Sequence, residues 1–161
     1  MKNVLLYPVA ALALLASGNA LAQQSSVANI NVTATVEAAC ADVTATDVDF
    51  GSQGNIGNTD DATSTITVDC DTGTQYSVAI DYGVAPLGTQ RQVTNGNSGE
   101  FMDYDIFQPG GFTTPWGEGA DALDGTGTGA ADALVANFRL QRAAGKGFGV
   151  YTDLVTVTLS Y

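Results

Sequence analysis

From Ala28 to Val36 the chain alternates without a break. Ala28, Ile30, Val32, Ala34 and Val36 fall on one side of an extended backbone, and Asn29, Asn31, Thr33 and Thr35, followed by Glu37, on the other. A period of two predicts a half-buried β-strand, one face in a core and one in water. Alternation alone fits an ordinary first strand of a sandwich. A strand close to a chain terminus can also leave its own domain and complete the sheet of another molecule.

The same period returns along the rest of the chain. Val43 to Phe50 reads as a strand stopped by Gly51, and Ser52 to Asp61, with Gly54, Gly57 and two asparagines, as a loop. Ser64 to Cys70 sets Ile66, Val68 and Cys70 on one face, and Gln75 to Tyr82 does so with Tyr76, Val78, Ile80 and Tyr82. The turn residues Asp71 to Thr74 between them predict a hairpin. Arg91 to Val93 and Glu100 to Phe107, separated by a turn-rich stretch from Thr94 to Gly99, predict a second. Pro109 to Asp132 reads as a long glycine-rich loop holding the sole tryptophan, Trp116, and Leu134 to Leu140 as a further strand. Ala143 to Gly147 reads as a turn. In the last segment, Leu154 to Tyr161, Val155, Val157, Leu159 and Tyr161 share a face opposite Thr156, Thr158 and Ser160. Short strands with turn signals about every ten residues, and no helical period outside the N-terminus, predict an antiparallel β-sandwich without repeats.

The N-terminus breaks this pattern. Lys2, the apolar run from Val4 to Ala16 and the small-x-small set Ala20-Leu21-Ala22 predict a secretory signal cut before Gln23. The run is short for a membrane span, so the expectation is an exported, soluble chain. The remaining 139 of 161 residues suit one domain. That part holds all 17 acids but only Arg91, Arg139, Arg142 and Lys146 as bases, a net charge of −13. So acidic a surface repels nucleic acid and anionic lipid. An even pair of cysteines, Cys40 and Cys70, in an exported chain reads as one disulfide.

Candidate chemistry is sparse. With no histidine, Ser-His and Cys-His nucleophile arrangements are excluded, as is the commonest zinc ligand. Asp47-x-Asp49, Asp69-x-Asp71 and Asp103-x-Asp105 do not continue into a calcium loop, and on a strand such pairs share the solvent face. Glu118 beside Trp116 supplies at most one of the two carboxylates a glycoside hydrolase needs. The glycines at Gly125, Gly127 and Gly129, and at Gly145 and Gly147, lack the spacing of a phosphate loop. No catalytic, metal or cofactor site is expected.

The order of motifs then adds a resemblance. Cys40 and Phe50-Gly51 are followed by Thr65-Ile-Thr-Val-Asp-Cys70 and by Gly73-Thr-Gln-Tyr76 running to Gly83. Arg91, Tyr104-Asp-Ile-Phe107, Trp116-Gly117 and the terminal Tyr151-Thr-Asp153 to Tyr161 come next. This set resembles the spore coat protein U domain family, which contains the major subunits of archaic chaperone–usher pili, across essentially the whole mature chain. Ile106-Phe107 stands where the family often shows Leu-Tyr, and the loop from Gly110 to Gly129 is unusually bland.

The resemblance implies an all-β, incomplete immunoglobulin-like sandwich completed by donor-strand exchange. Residues 1–22 would be the signal, 23–37 the donor strand and 38–161 the pilin domain. Ala28, Ile30, Val32, Ala34 and Val36 would be the inserted residues, and Val155, Val157 and Leu159 would edge the acceptor groove. The implied partners are neighbouring copies of the chain, a periplasmic chaperone and an outer-membrane usher, at the cell surface, in a fibre for adhesion and biofilm formation. The competing expectations are a tip adhesin or secreted carbohydrate-binding module and, further off, a monomeric glycoside hydrolase.

Overall fold

In the computed structural model, residues 24–52, 54, 59–141 and 145–161 are described. The expected signal, Met1 to Ala22, lies outside them, as does part of the expected turn from Ala143 to Gly147. The chain divides into two units, Met1–Thr35 and Val36–Tyr161. In the first, residues 24–35 are exposed throughout and none is in a strand. The alternation of this stretch has not produced a half-buried strand: Ile30 is 86% and Val32 88% exposed. A strand is defined by backbone pairing, and residues 24–35 have no paired strand among the described residues.

The second unit is two antiparallel sheets. β1 (Thr44–Ala45), β2 (Thr59–Asp69), β7 (Ala131–Gln141), β5 (Glu100–Phe107) and β4 (Arg91–Asn95) form one, in the order β1-β2-β7-β5-β4. The other is β6 (Leu123–Thr126), β3 (Gln75–Ile80) and β8 (Val157–Ser160), in the order β6-β3-β8. Their inner faces meet in a core of Ile66, Val68, Val78, Ile80, Ile106 and Ala136, each at most 1% exposed.

Several expectations change here. β2 and β3 are not a hairpin, for β2 pairs with β1 and β7 while β3 pairs with β6 and β8. With both edges of β2 occupied, the turn after Cys70 carries the chain across to the opposite sheet. Gly73 takes a positive φ of 87° there, and its N–H donates to the carbonyl of Gly127 at 2.9 Å. β2 also begins five residues before Ser64, taking in the end of the expected loop, because β7 offers a partner for every residue from Thr59↔Gln141 to Asp69↔Ala131. The Val43 to Phe50 strand shrinks to Thr44–Ala45, although Val43, Val48 and Phe50 still pack on the core. The β4–β5 hairpin forms in the register Arg91↔Tyr104 to Asn95↔Glu100.

The long loop is not structureless. It contains a 3-10 turn at Gly119–Asp121 and β6, which pairs with β3 from Val78↔Leu123 to Gln75↔Thr126. Trp116 anchors it. The ring is 0% exposed, its Nε1–H donates to the Val78 carbonyl at 2.8 Å, and its backbone N–H donates to Ile106 at 2.8 Å. One residue thus ties β3 through its ring and β5 through its backbone, and leaves no ring face for a sugar.

Cys40 and Cys70 are bonded to each other where the chain enters the sandwich. Ala41 N–H donates to Asp69 and Asp71 N–H to Ala39, so the bond staples two short extended segments side by side. Their sequence separation of 30 closes a loop worth about 3–4 kcal/mol in chain entropy. Reduction is expected to lower the unfolding free energy of the folded chain by that amount in urea. The mass of the non-reduced protein should be lower by two hydrogens.

Candidate functional site: an open groove beside the last strand

The edge strands are β6 and β8 in the three-stranded sheet and β1 and β4 in the five-stranded one. A groove of about 840 Å³ takes in Ala45 at the end of β1, Val157 at the start of β8, Val93 of β4 and Met102 of β5. Its floor joins both sheets through Ile66, Ile80, Tyr104, Phe138 and Leu140. One wall is the chain from Ala45 to Ser52, and the other runs from Lys146 to Val155 and on to Val157. On β8 only the Ile80 to Ser77 side is paired, from Ile80↔Val157 to Ser77↔Ser160. The other edge of β8 has no strand beside it among the described residues. Unpaired strand groups of this kind are a template for another strand.

Val155 and Val157 line this groove and are half-buried. Leu159 shares their face and packs on the core, but it does not line the groove. The residues from Ala28 to Val36 are exposed, and Cys40 and Cys70 lie at the end where β8 finishes, beyond the groove.

The polar groups around the groove hold its walls. Tyr104 hydroxyl donates to Asp153 Oδ2 at 2.7 Å, and the other carboxylate oxygen accepts the Val84 N–H at 2.9 Å. Burial, and then the bond to Asp153, raise the Tyr104 phenol far above its ordinary range, so it stays a neutral donor. A side chain at Gly83, whose φ is +82°, would collide with the Asp153 carboxylate. Asp81 accepts N–H bonds from Thr156 at 2.9 Å and Gly83 at 3.1 Å. Burial works to raise its carboxyl, but these bonds prevail and hold it below the usual range.

Arg91 lies under the groove floor, 5% exposed. Its guanidinium donates to the carbonyls of Asp81 at 2.7 Å, Ile80 at 2.8 Å and Trp116 at 2.9 Å, and it sits 5.2 Å from the Tyr82 ring centroid. Burial lowers its pKa, as expected for a charge moved out of water, while Nε and Nη2 supply its three bonds to carbonyls. The motif order included Arg91 without giving it a role. The available signal was parity, since Arg91 shares the inward side of β4 with Val93 and Asn95.

Of the wall before β8, the sequence predicts a turn to Gly147 and the last strand from Leu154, with Tyr151 to Asp153 in the terminal motif. The wall is clipped to the β4–β5 hairpin at several points. Glu100 Oε2 accepts the Gly147 N–H at 2.7 Å and the Tyr151 hydroxyl at 3.2 Å, and Thr94 and Thr152 form an isolated antiparallel bridge. The Gly147 N–H first, and then the Ser98 hydroxyl, hold the Glu100 carboxyl below its ordinary pKa. Among the described residues, no group of three or more His, Cys, Asp or Glu side chains is placed to hold a metal ion. The arrangement offers a largely apolar trough beside a strand edge that is unpaired among the described residues.

Comparisons with known proteins agree with this shape. The family model of the Spore Coat Protein U domain matches residues 26–158. Among solved structures, the chain is similar to the crystal structure of the CsuC-CsuE chaperone-tip adhesion subunit pre-assembly complex from the archaic chaperone-usher Csu pili of Acinetobacter baumannii. The TM-score is 0.60 at 23% identity, with 79% of this chain and 41% of that chain covered. The chain therefore spans less than half the length of the chain it matches there. No curated protein matches it.

Proposed function

Because the chain belongs to the Spore Coat Protein U domain family, we propose that it is a structural subunit of a chaperone–usher surface fibre, polymerising by donor-strand exchange. The observation that carries this reading is the open groove beside β8, floored by core residues of both sheets and bordered by a strand edge with no partner among the described residues. A strand laid into it would pair with β8 and send alternate side chains between the sheets, which is recognition by β-strand addition.

The stretch from Ala28 to Val36 suits that task. Its apolar side chains alternate and it carries no charge. Burying each of Ile30, Val32 and Val36, now 86%, 88% and 94% exposed, is worth about 1.5–3 kcal/mol. Each backbone bond to β8 adds about 0.5–1.5 kcal/mol. In this scheme a periplasmic chaperone lends a strand to the groove, and an outer-membrane usher replaces it with the N-terminal segment of the next copy. Residues 23–37 are then the donor and 38–161 the acceptor domain, with residues 1–22 removed on export. The contact is head-to-tail and does not close on itself, so the product is a fibre at the cell surface. Adhesion and biofilm formation would follow from the fibre, with no catalytic role.

Val32→Asp tests the proposal. It places a carboxylate in the middle of the inserted face, where burial without a partner is costly. The acceptor groove is untouched, so the variant should copurify with its chaperone at the normal level and yield no fibres by negative-stain electron microscopy. Normal fibres from Val32→Asp would remove this segment from the mechanism.

A further inference from the structure

A second concavity lies apart from the groove. It is a cleft of about 280 Å³ between the start of β4, the end of β5 and the segment from Pro115 to Gly117, and no residue lines both. Its volume is many times what one ordered water requires.

Arg91 supplies the donors. The residue is 5% exposed, and Nε and Nη2 carry its bonds to the carbonyls of Asp81, Ile80 and Trp116. Nη1, with two N–H groups, donates to none of the described residues and is not sealed from solvent. Arg91 lines the cleft and not the groove, so the cleft is the space these donors serve. A buried guanidinium with donors to spare at the wall of a hollow points to a ligand oxygen there.

Acceptors share the cleft. The Asp121 carboxylate and the Tyr82 hydroxyl line it, and neither group is hydrogen-bonded among the described residues. Gly117 keeps the space between them open. A Cβ there would stand 3.2 Å from the Tyr82 hydroxyl and 3.3 Å from the Asp121 Cβ. Asp105 adds a second carboxylate, steadied by the amides of Gln90 at 3.3 Å and Gln141 at 2.9 Å.

This set of groups selects a ligand class. An anion would meet Asp105 and Asp121, and a cation would meet the Arg91 guanidinium. A hydroxyl suits both, because its oxygen accepts from Nη1 while its own O–H donates to a carboxylate. Phe107 and Pro115 give the cleft apolar wall for the carbon face of a ring. A few convergent polar groups in a partly apolar hollow are the make-up of a small-ligand site.

We infer that this cleft binds a neutral saccharide unit, its hydroxyls held between Arg91 Nη1 on one side and the Asp121 carboxylate and Tyr82 hydroxyl on the other. The site owes nothing to strand exchange, and in a fibre it would repeat in every copy of the chain.

Saturation-transfer NMR on the full mature chain, with its chaperone or as fibre, tests the site. The probes are glucose, galactose, mannose and N-acetylglucosamine, with glucuronate and glucosamine as charged analogues. Ring protons of at least one neutral sugar should be saturated, and both charged analogues should give weaker signals than that sugar. Asp121→Ala and Tyr82→Phe each remove a group that has no hydrogen-bond partner among the described residues, so the thermal midpoint should hold. The saturation signal should nevertheless fall about fivefold in each, as the loss of one hydrogen bond to the ligand predicts. No saturation of any neutral sugar, a signal that both substitutions leave unchanged, or a stronger signal from a charged analogue would overturn the inference. The methyl glycoside of the bound sugar separates two sources. Retained binding assigns the site to the end of a surface glycan, and lost binding assigns it to the free sugar.

Discussion

Moving the donor strand to the other end of the chain is expected to turn a polymer into a monomer. In the rearranged protein Gln23 to Glu37 are deleted, and Ser25 to Glu37 follow Tyr161 through a few Gly and Ser residues. β8 ends at Ser160 with its outer edge unpaired among the described residues, so the appended strand has only to double back antiparallel along it. A short flexible linker permits that turn and holds the strand at millimolar effective concentration, above any competing copy. The period of two then secures the register, since a slip by one residue would turn Asn31 and Thr33 inward. The expected product is a soluble, chaperone-independent monomer with a single sharp thermal transition. The deletion without the transplant should aggregate or require chaperone. If the bare deletion is an equally stable monomer, the groove needs no strand and the proposed mechanism is lost.

The second large effect should come from Arg91→Leu, measured in urea on the rearranged monomer. Arg91 is 5% exposed and satisfies three carbonyls, those of the adjacent Ile80 and Asp81 and of the distant Trp116. Leucine fills most of the space but leaves those acceptors without donors. An unsatisfied buried polar group costs about 1–3 kcal/mol, so a loss of about 3–5 kcal/mol is expected. Arg139→Leu is the comparison. Its bidentate pair with Asp61 at 2.7 and 2.8 Å lies on the outer face, with side chains 34% and 44% exposed. Solvent screens such a pair, so the midpoint should hardly move. Equal losses from the two substitutions would contradict the assignment of Arg91 as the tie beneath the groove.

The local pattern of the chain was enough to establish that it is built of strands, which side of each faces the core and where the β4–β5 hairpin turns. Those properties depend on residues one or two positions apart, and alternation records them directly. Ile66, Val68, Val78, Ile80, Ile106 and Ala136 were all legible as inward residues for that reason. Two exported cysteines without metal-binding companions likewise pointed to their bond.

Pairing was decided elsewhere. The turn at Asp71 to Thr74 has the composition of a hairpin, yet β2 and β3 lie in different sheets, because β7 and β1 occupy both edges of β2. No residue within the turn encodes that competition. β6 was invisible because Leu123 to Thr126 is short and glycine-containing, and becomes a strand only when β3 offers it an edge. The groove is likewise formed by residues of both sheets that are distant in sequence, and its outer wall is an irregular segment held by Glu100 and Asn95, residues about fifty positions away. The N-terminal stretch shows the division most sharply. Its alternation sets which side chains can be buried, but a strand cannot form without a partner for its backbone, and that partner has to be supplied by tertiary structure or by another molecule.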